Sequence, residues 1–241
     1  IIRGTEYLSS TPKYNLIYQA YGWDVPQYIH VPPVMKDEKR KLSKRYGDAS
    51  YEDFISKGYL KDAVLNYIAL LGWNPGTNQE IFTLDELVRA FDVKGISKSP
   101  AIFDENKLKW MNAAYIKAMD EAQFTRAAMP YYKQALGEGE WDTGMLYRIL
   151  QPRLDIFSEI PEKIAFLAEL PDYDLEFYTH KKMKTNAELA RDIIKWAYDA
   201  FSGIEWNEQA IHDAIVETAQ AHELKNGQLF WCARIALTGT Q

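Results

Sequence analysis

The chain has 241 residues, 28 basic and 34 acidic side chains, a formal net charge of −6 and 47% hydrophobic residues. This composition is typical of a globular protein of one or two domains, long enough to bury a core without disulfides or structural metals. No apolar run approaches the roughly 20 residues that span a bilayer, which excludes a membrane protein. The chain begins with neither a methionine nor a signal peptide, so we expect a cytoplasmic protein whose beginning is missing.

Charge is uneven along the chain. Residues 1–50 hold eight basic and five acidic residues, whereas residues 51–241 hold twenty basic and twenty-nine acidic residues. Six of the ten residues from Lys36 to Arg45 are Lys or Arg. This run is dense enough to attract a polyanion such as a nucleotide phosphate or an RNA backbone, although a solvated loop would also explain it.

The first 50 residues have an α/β pattern and the rest a helical one. Residues 15–21 predict a short helix closed by Gly22, and the β-branched, proline-interrupted run 29–35 predicts a strand. An apolar stripe with helical spacing then predicts a helix that ends at Gly72; its members are Leu60, Ala63, Val64, Tyr67, Ile68 and Leu71.

Two capping boxes predict further helix starts. In Thr83–Glu86 and Thr185–Glu188, a hydroxyl and a carboxylate can satisfy the free amides of a first helical turn. Additional helices are predicted over residues 104–118, 121–136, 141–157, 161–170, 207–222 and 227–237. The glycines at 137 and 139 and the turn-rich stretch 171–184 are the natural interruptions.

The sequence lacks the residue patterns that several common types of functional site require. The four histidines lie at none of the spacings that metal sites use, so we expect no metal site built by the protein. The lone Cys232 excludes an internal disulfide, and its apolar helical surroundings favour a buried thiol over a nucleophile. The sequence contains no glycine-rich motif of dinucleotide enzymes or P-loop NTPases, and no Gly-x-Ser-x-Gly of α/β-hydrolases.

The segment Lys41-Leu42-Ser43-Lys44-Arg45 resembles the Lys-Met-Ser-Lys-Ser signature of class I aminoacyl-tRNA synthetases, in the form common in glutamyl-tRNA synthetases. The order and spacing of other segments agree; among them are His30-Val-Pro-Pro33, Leu70-Leu-Gly-Trp73, Leu108-Lys-Trp-Met-Asn112 and Ala236-Leu-Thr-Gly239. The chain therefore resembles a bacterial-type glutamyl-tRNA synthetase over essentially all of its length.

The resemblance implies a mainly α fold in three parts. Residues 1–48 would be the C-terminal remnant of a Rossmann-type catalytic domain that carries the signature loop. Residues 49–120 would form a helical stem-contact domain, and residues 121–241 a truncated α-helical anticodon-binding cage. The sequence lacks the upstream catalytic half of the family, with its His-x-Gly-His signature, and the last helical stretch. We therefore do not expect this chain alone to form glutamyl-adenylate.

The resemblance also implies which residues handle the small substrates. Activation of a carboxylate by ATP builds negative charge on phosphoryl oxygens, which preorganised cations stabilise. Lys41, Ser43 and Lys44 would act at this step. Arg3 matches the family arginine that binds the substrate carboxylate. A planar guanidinium suits this role, since it can hold a carboxylate with two hydrogen bonds. The other implied substrate-binding and ATP-binding residues are Glu6, Tyr7, Pro33, Val34, Leu42 and Arg45.

A second implied surface reads the anticodon. Pro152 interrupts an apolar helical stripe, so we expect it to bend the helix and expose Arg153. Arg153 matches the arginine with which discriminating members of the family test the third anticodon base, and Arg234 matches a second anticodon-loop arginine. Trp110 and Asn112 follow the stem-contact signature of the family. A core aromatic and a turn explain their pattern equally well, and we favour this structural explanation.

The family implies a ligase that joins L-glutamate to tRNA(Glu) with ATP and Mg²⁺, as a cytoplasmic monomer without membrane contact. A non-catalytic tRNA-binding or helical interaction module is the alternative function. A glutaminyl synthetase is disfavoured, because its anticodon-binding part would be rich in β-strands and this one is predicted to be helical.

Overall fold

The structure is a computed structural model that describes residues 1–42 and 50–240. The fold is mainly α, as predicted. The strands are β1 (Ile2–Gly4), β2 (Ile29–Val31), β3 (Val34–Met35) and β4 (Ala101–Ile102). The helices are α1 (Thr11–Ala20), α2 (Tyr51–Ser56), α3 (Lys61–Gly72), α4 (Leu84–Ala90), α5 (Glu105–Lys117), α6 (Glu121–Leu136), α7 (Thr143–Leu150), α8 (Ile160–Ile164), α9 (Ala187–Phe201), α10 (Glu208–Ala221) and α11 (Asn226–Thr238). Helices α5, α6, α10 and α11 confirm predicted helices to within one residue at each end.

The chain divides into two compact units. The first consists of Ile1–Tyr131 with Glu140–Ile160, and the second of Tyr132–Gly139 with Pro161–Gln241. The strands and helices α1 to α5 and α7 belong to the first unit, and helices α9 to α11 belong to the second. The three-part division expected from the sequence stays a prediction.

The first unit starts with a βαβ element. β1 and β2 pair in parallel with Arg3 opposite His30, and α1 connects them. α1 begins four residues earlier than predicted, with Pro12 in its first turn, where a helix does not need the missing amide. The predicted strand 29–35 is two short strands, because the prolines between β2 and β3 have no amide hydrogen for a sheet. β3 pairs in parallel with β4.

The predicted apolar stripe on α3 is largely confirmed, with one exchange. Ile68 is 51% exposed, and Asn66 is fully buried in its place. Asn66 Oδ1 accepts hydrogen bonds from the Phe82 amide and from the Tyr115 hydroxyl, both at 2.8 Å. Its Nδ2 is buried without a partner among the described residues, so the two hydrogen bonds to Oδ1 offset only part of the cost of burying this amide. A polar residue therefore occupies a core position that hydrophobic periodicity assigns to an apolar one.

One of the two predicted capping boxes is confirmed and the other is wrong. The Thr83 hydroxyl accepts the Glu86 amide at 3.3 Å, and the Glu86 carboxylate accepts the Thr83 amide at 2.7 Å. At α9 the capping residue is Asn186, whose side chain accepts an amide hydrogen bond from the first turn. Thr185 cannot cap the helix because it is buried and forms an antiparallel bridge with His180.

Two predicted helices are shorter than expected. The run 141–157 forms α7, which ends at Leu150 and is followed by 3₁₀ turns at Gln151–Arg153 and Phe157–Glu159. The run 161–170 contributes only α8 and a 3₁₀ turn at Ala165–Leu167. Pro152 lacks an amide hydrogen, and its ring clashes with the preceding helical turn. We expected the helix to bend at this proline, but it ends there.

Gly58 allows two backbone segments of the first unit to approach closely. Its φ is +87°, and a Cβ at this position would lie 2.6 Å from the amide nitrogen of Ser158. Across this contact the Phe157 amide donates to the Gly58 carbonyl at 3.2 Å, and the Ser158 hydroxyl donates to the Lys57 carbonyl at 2.6 Å. Any side chain here would need both a disfavoured φ and movement of the backbone.

Asn112 connects three segments of the first unit. It lies in the middle of α5 and has no solvent exposure. Its Oδ1 accepts the Leu60 amide, just before α3, at 2.8 Å, and its Nδ2 donates to the Asp155 carbonyl at 2.5 Å. It lies within the helix predicted over residues 104–118 and is a buried link in that helix, not the turn residue that one explanation of its pattern suggested.

Three helices form the core of the second unit. Helices α9, α10 and α11 pack around buried side chains that include Ala190, Ile193, Ala197, Ile215, Ala219, Leu229, Cys232 and Ile235. Three of these residues are alanines, and small side chains let helix backbones approach closely. Burial raises the pKa of the Cys232 thiol to about 11. Within the described residues, no helix is long and apolar enough to cross a membrane.

We predict that Asn112→Ala lowers the free energy of unfolding of the first unit by about 1–3 kcal/mol, because it removes the partners of the Leu60 amide and the Asp155 carbonyl. Asn106→Ala, at an exposed position of the same helix, should change it by less than about 0.5 kcal/mol. Urea denaturation of both variants measures the difference. Equal stability of the two variants would contradict the proposed role of Asn112.

We predict that Cys232 reacts with a thiol reagent such as DTNB about 100-fold more slowly in the folded chain than in concentrated urea. Its pKa is raised from 9.0 to about 11, so little thiolate forms near neutral pH. Gln220→Cys, which places a thiol at an exposed position of α10, should add one rapidly reacting group. Fast reaction of the single thiol in the unchanged folded chain would show that this core is open.

Candidate functional site

Arg3 lies among aromatic side chains at the junction of β1 and α1. Its guanidinium carbon is 4.9 Å from the ring centre of Tyr7 and 5.6 Å from that of Tyr14. At these distances a ring face attracts a cation. The Glu6 carboxylate lies against the Cα of Gly4, the next residue after Arg3. The structure thus brings together the three residues expected to contact the substrate and adds Tyr14, which no sequence motif indicated.

Arg3 borders a concave pocket of about 180 Å³. The other lining residues are Ile1, Tyr14, Ile17, Tyr18 and Tyr28. The Tyr28 hydroxyl is buried and finds no hydrogen-bond partner in the part of the chain that the structure describes. A guanidinium and a buried hydroxyl at an aromatic-walled pocket suit a small ligand that carries a carboxylate.

Thr11 connects this pocket to the sheet. Its hydroxyl donates to the Tyr7 carbonyl at 2.8 Å and lies 3.1 Å from Nε2 of His30. The His30 ring in turn stacks on Tyr28, with ring centres 6.2 Å apart. These contacts fix the backbone of Tyr7 relative to β2. His30 therefore acts here as a support for the pocket walls.

The chain folds back on itself after β3. The Leu42 amide donates to the Val34 carbonyl at 2.9 Å, and Lys41 forms an antiparallel bridge with Met35. The structure therefore places Lys41 and Leu42 directly beside the strand that follows Pro33. Two groups of residues for which the resemblance implies ATP binding, at the strand end and at the start of the signature, are therefore neighbours.

An ion pair closes the turn between these two segments. The Arg40 side chain donates to the Asp37 carboxylate, and the Asp37 carboxylate also accepts the Arg40 amide at 2.9 Å. These hydrogen bonds lower the pKa of Asp37 to about 2. The turn therefore keeps its ion pair at neutral pH. The remaining predicted residues of the signature, Ser43, Lys44 and Arg45, lie outside the described residues.

Arg153 is exposed, as predicted, at the end of the 3₁₀ turn that follows α7. Its Nη1 donates to the Ile149 carbonyl at 2.7 Å, at the C-terminal end of α7. A guanidinium has five N–H donors, so this bond leaves donors for another acceptor. Gln151 holds the turn in place: its amide donates to main-chain oxygens at the end of α5, the nearest being that of Met119 at 2.6 Å.

Trp110 is 51% exposed, so the expectation of a core aromatic is wrong for this residue. Successive residues of a helix face different directions, and two positions further along α5 Asn112 is fully buried. Trp110 lines a concave surface of about 410 Å³ together with Asn106, Lys109, Ala113, Ala114, Lys117 and Asp155. An exposed indole beside lysines is the kind of surface on which nucleic acids bind.

Arg234 lies on α11 in the second unit, and its side chain is exposed. The hydroxyl of Thr238 donates to the Arg234 carbonyl at 2.8 Å, near the C-terminal end of the helix. Gly239 ends the helix with a φ of +66°. Arg153 and Arg234 therefore belong to different compact units, and each is available to solvent.

The histidines pack against aromatic rings. His180 lies 4.5 Å from Trp231, and His222 stacks on Trp196 with ring centres 3.7 Å apart. Across the described ranges of the chain, no cluster of three or more His, Cys, Asp or Glu side chains is arranged to hold a metal ion.

Two family models match the chain. The catalytic domain of class I tRNA synthetases (E and Q) matches residues 1–110, where the βαβ element and the Arg3 pocket lie. The anticodon binding domain matches residues 87–241, which is more than half of the chain. The chain therefore belongs to the anticodon binding domain family of aminoacyl-tRNA synthetases.

The curated relatives specify the enzyme more closely. The chain is 54% identical over 243 aligned residues to the glutamate-tRNA ligase of Clostridium novyi, and 52% identical over 240 to that of Clostridium tetani. Each alignment covers 99% of this chain but only 50% and 49% of the respective relative. The chain thus spans about half the length of the glutamate-tRNA ligases that it matches.

Solved structures agree with this relationship. A glutamate tRNA ligase from Elizabethkingia meningosepticum, crystallised in complex with its amino acid, matches with a TM-score of 0.82 and 26% identity. The glutamate-tRNA synthetase of Elizabethkingia anophelis matches with a TM-score of 0.76 and 26% identity. Both matches cover 99% of this chain and about half of the other chain.

Proposed function

We propose that this chain is part of a glutamate-tRNA ligase, which activates L-glutamate with ATP and Mg²⁺ and transfers it to tRNA(Glu). The observation that carries the proposal is the alignment of 99% of the chain with such ligases at about half sequence identity. The order of the two matched modules, a catalytic domain followed by an anticodon binding domain, supports it. As part of a translation enzyme the protein would be cytoplasmic, and we expect a monomer.

The first unit would contribute one side of the catalytic site. Arg3 would bind the α-carboxylate of glutamate at the aromatic pocket, with Glu6 and Tyr7 beside it. The backbone at Pro33 and Val34, with Leu42 held against it, would line the adenine position. Lys41, Ser43, Lys44 and Arg45 would meet the negative charge that develops on the phosphates of ATP. Mg²⁺ would bind with the ATP phosphates, because Mg²⁺ commonly retains waters and substrate phosphates as ligands.

Exposed apolar surface on the first unit supports a catalytic site that is completed by further polypeptide. No residue of β1 or α1 is buried. Large apolar side chains are 46% to 68% exposed at Ile1, Ile2, Leu16, Ile17, Tyr21 and Trp23. Apolar patches of this kind normally pack against another protein surface. In the whole enzyme we propose that the other half of the catalytic domain covers them, consistent with relatives twice as long.

The rest of the chain would recognise tRNA. We propose that residues 1–48 end the catalytic domain, residues 49–120 contact the tRNA stem and residues 121–241 bind the anticodon. Arg153 would test the third anticodon base, with its backbone position set by the Gln151 contacts, and Arg234 would contact the anticodon loop. Trp110, exposed beside Lys109 and Lys117, would contribute to the stem surface.

The proposal predicts that this chain binds tRNA(Glu) but does not charge it. Binding is measured by titration of labelled tRNA, and charging with ATP, Mg²⁺ and labelled glutamate in the same samples. A non-cognate tRNA of similar length is the control for binding. Charging by the chain alone would overturn the idea that it holds only one side of the catalytic site. Equal affinity for the control tRNA would overturn the role in tRNA recognition.

We predict that Arg153→Gln reduces the preference of the chain for tRNA(Glu) over tRNA(Gln) by about 5- to 150-fold, since one base contact discriminates by about 1–3 kcal/mol. Arg148→Gln, which removes the same charge from the exposed side of α7, is the matched control and should leave the preference unchanged. The measurement is the ratio of dissociation constants for the two tRNAs. If both variants keep the original ratio, Arg153 does not read the base.

A further inference from the structure

A short hairpin precedes α9 in the second unit. Residues 180–185, called the basic hairpin below, are closed by two backbone hydrogen bonds between His180 and Thr185, at 3.1 and 3.3 Å. Nδ1 of His180 accepts the Met183 amide at 3.2 Å. Lys184 adopts a left-handed conformation with a φ of +55°, which lets the chain reverse within four residues. The sequence indicated only that this region is rich in turns.

The basic hairpin packs on the first turns of α11. The His180 ring contacts Trp231 in a T-shaped arrangement with ring centres 4.5 Å apart. The Met183 side chain lies over Gly227, where an added Cβ would be 3.2 Å from its sulfur. The Gln228 side chain donates from Nε2 to the Lys184 carbonyl at 3.5 Å. Contacts on both strands of the turn therefore fix the basic hairpin relative to the helix.

Three lysines at this turn, unpaired among the described residues, indicate a binding site for a negatively charged ligand. Lys181, Lys182 and Lys184 are all exposed, and their ammonium groups form no salt bridge with any described residue. By contrast, Lys133 pairs with Glu138 and Arg191 lies near Asp192. The second unit as a whole has fourteen acidic and nine basic residues. A third of its positive charges thus lies within four residues of an otherwise acidic unit.

The basic hairpin packs on α11 one to two turns before Arg234. Trp231, on which it packs, is three residues before Arg234, so both side chains lie on the same side of α11. With a rise of 1.5 Å per residue, Arg234 lies about 4.5 Å along the helix axis beyond Trp231, and about 9 to 10.5 Å beyond Gln228 and Gly227, which contact Lys184 and Met183. The lysines and the arginine can therefore form one basic strip, and a strip suits a polymer with regularly spaced charges better than it suits a single small anion.

We propose that the basic hairpin is a binding site for the phosphate backbone of RNA, and that it holds the anticodon arm of tRNA beside Arg234. This inference rests on the proposed function and adds to it a contact surface that does not read bases. Lysine suits this role because its ammonium is a compact charge on a flexible stem. The hairpin contacts hold the backbone of the three lysines in place, so fewer degrees of freedom are lost on binding.

The test is a triple variant of this chain, Lys181→Ala, Lys182→Ala and Lys184→Ala. A matched triple variant, Lys133→Ala, Arg191→Ala and Lys195→Ala, loses the same charge at other positions of the second unit. Dissociation constants for tRNA(Glu) and tRNA(Gln) are measured over a range of salt concentrations. Each phosphate contact contributes about 0.7–0.9 to the slope of log affinity against log salt, so the hairpin variant should lose about 2 units of slope. The matched variant should lose less than half as much.

The hairpin substitutions should weaken the affinity for the two tRNAs by the same factor, because phosphate contacts carry no sequence information. A third variant with arginine at the three positions should retain the slope and the affinity, and circular dichroism checks that all variants keep their helix content. No binding by the unchanged chain would overturn the proposed function and this site with it. If the unchanged chain binds tRNA and the two alanine variants weaken this binding equally, the proposed role of the basic hairpin is overturned and the proposed function stands. A changed ratio between the tRNAs would make the basic hairpin a base reader and overturn the phosphate role.

Discussion

The organisation of the first unit depends on the two hydrogen bonds of the buried Asn112 side chain. They tie α5 to Leu60 at the start of α3 and to Asp155, two residues after Arg153. Gln151, two residues before Arg153, binds main-chain oxygens at the C-terminal end of α5 through its side-chain amide. Arg153 is thus held between two polar contacts with one helix. Because buried polar groups are costly without their partners, these bonds specify one position for the turn.

As at Arg153, other contacts hold the surroundings of the exposed Arg3 and Lys41 in place. Arg3 lies over aromatic rings whose positions depend on Thr11 and β2, and Lys41 extends from a segment paired with β3. The chain carries a net charge of −6, and charges are screened beyond about 8–10 Å at physiological salt. Attraction for phosphate groups must therefore arise from local clusters. Clusters on a fixed backbone lose less conformational freedom when they bind.

Sequence patterns predicted the features that depend on neighbouring residues and missed those that depend on distant ones. The Thr83 capping box formed because all of its atoms lie within one turn. The box at Thr185 failed because a residue five positions earlier, His180, took its backbone into a bridge and Asn186 replaced it. Asn66 is buried because Phe82 and Tyr115 offer partners from other segments, which hydrophobic periodicity does not register.

The sequence by itself determined that the chain is mainly helical, where most helices lie, and which family it resembles, since local periodicity and short motifs carry this information. It also identified Arg3, Lys41, Arg153 and Arg234 as candidates. Only the tertiary structure decided that Trp110 is exposed and that Tyr14 lies beside Arg3. It likewise decided that the basic hairpin packs on α11. These outcomes follow from contacts between residues far apart in the chain, whose free energies no local pattern contains.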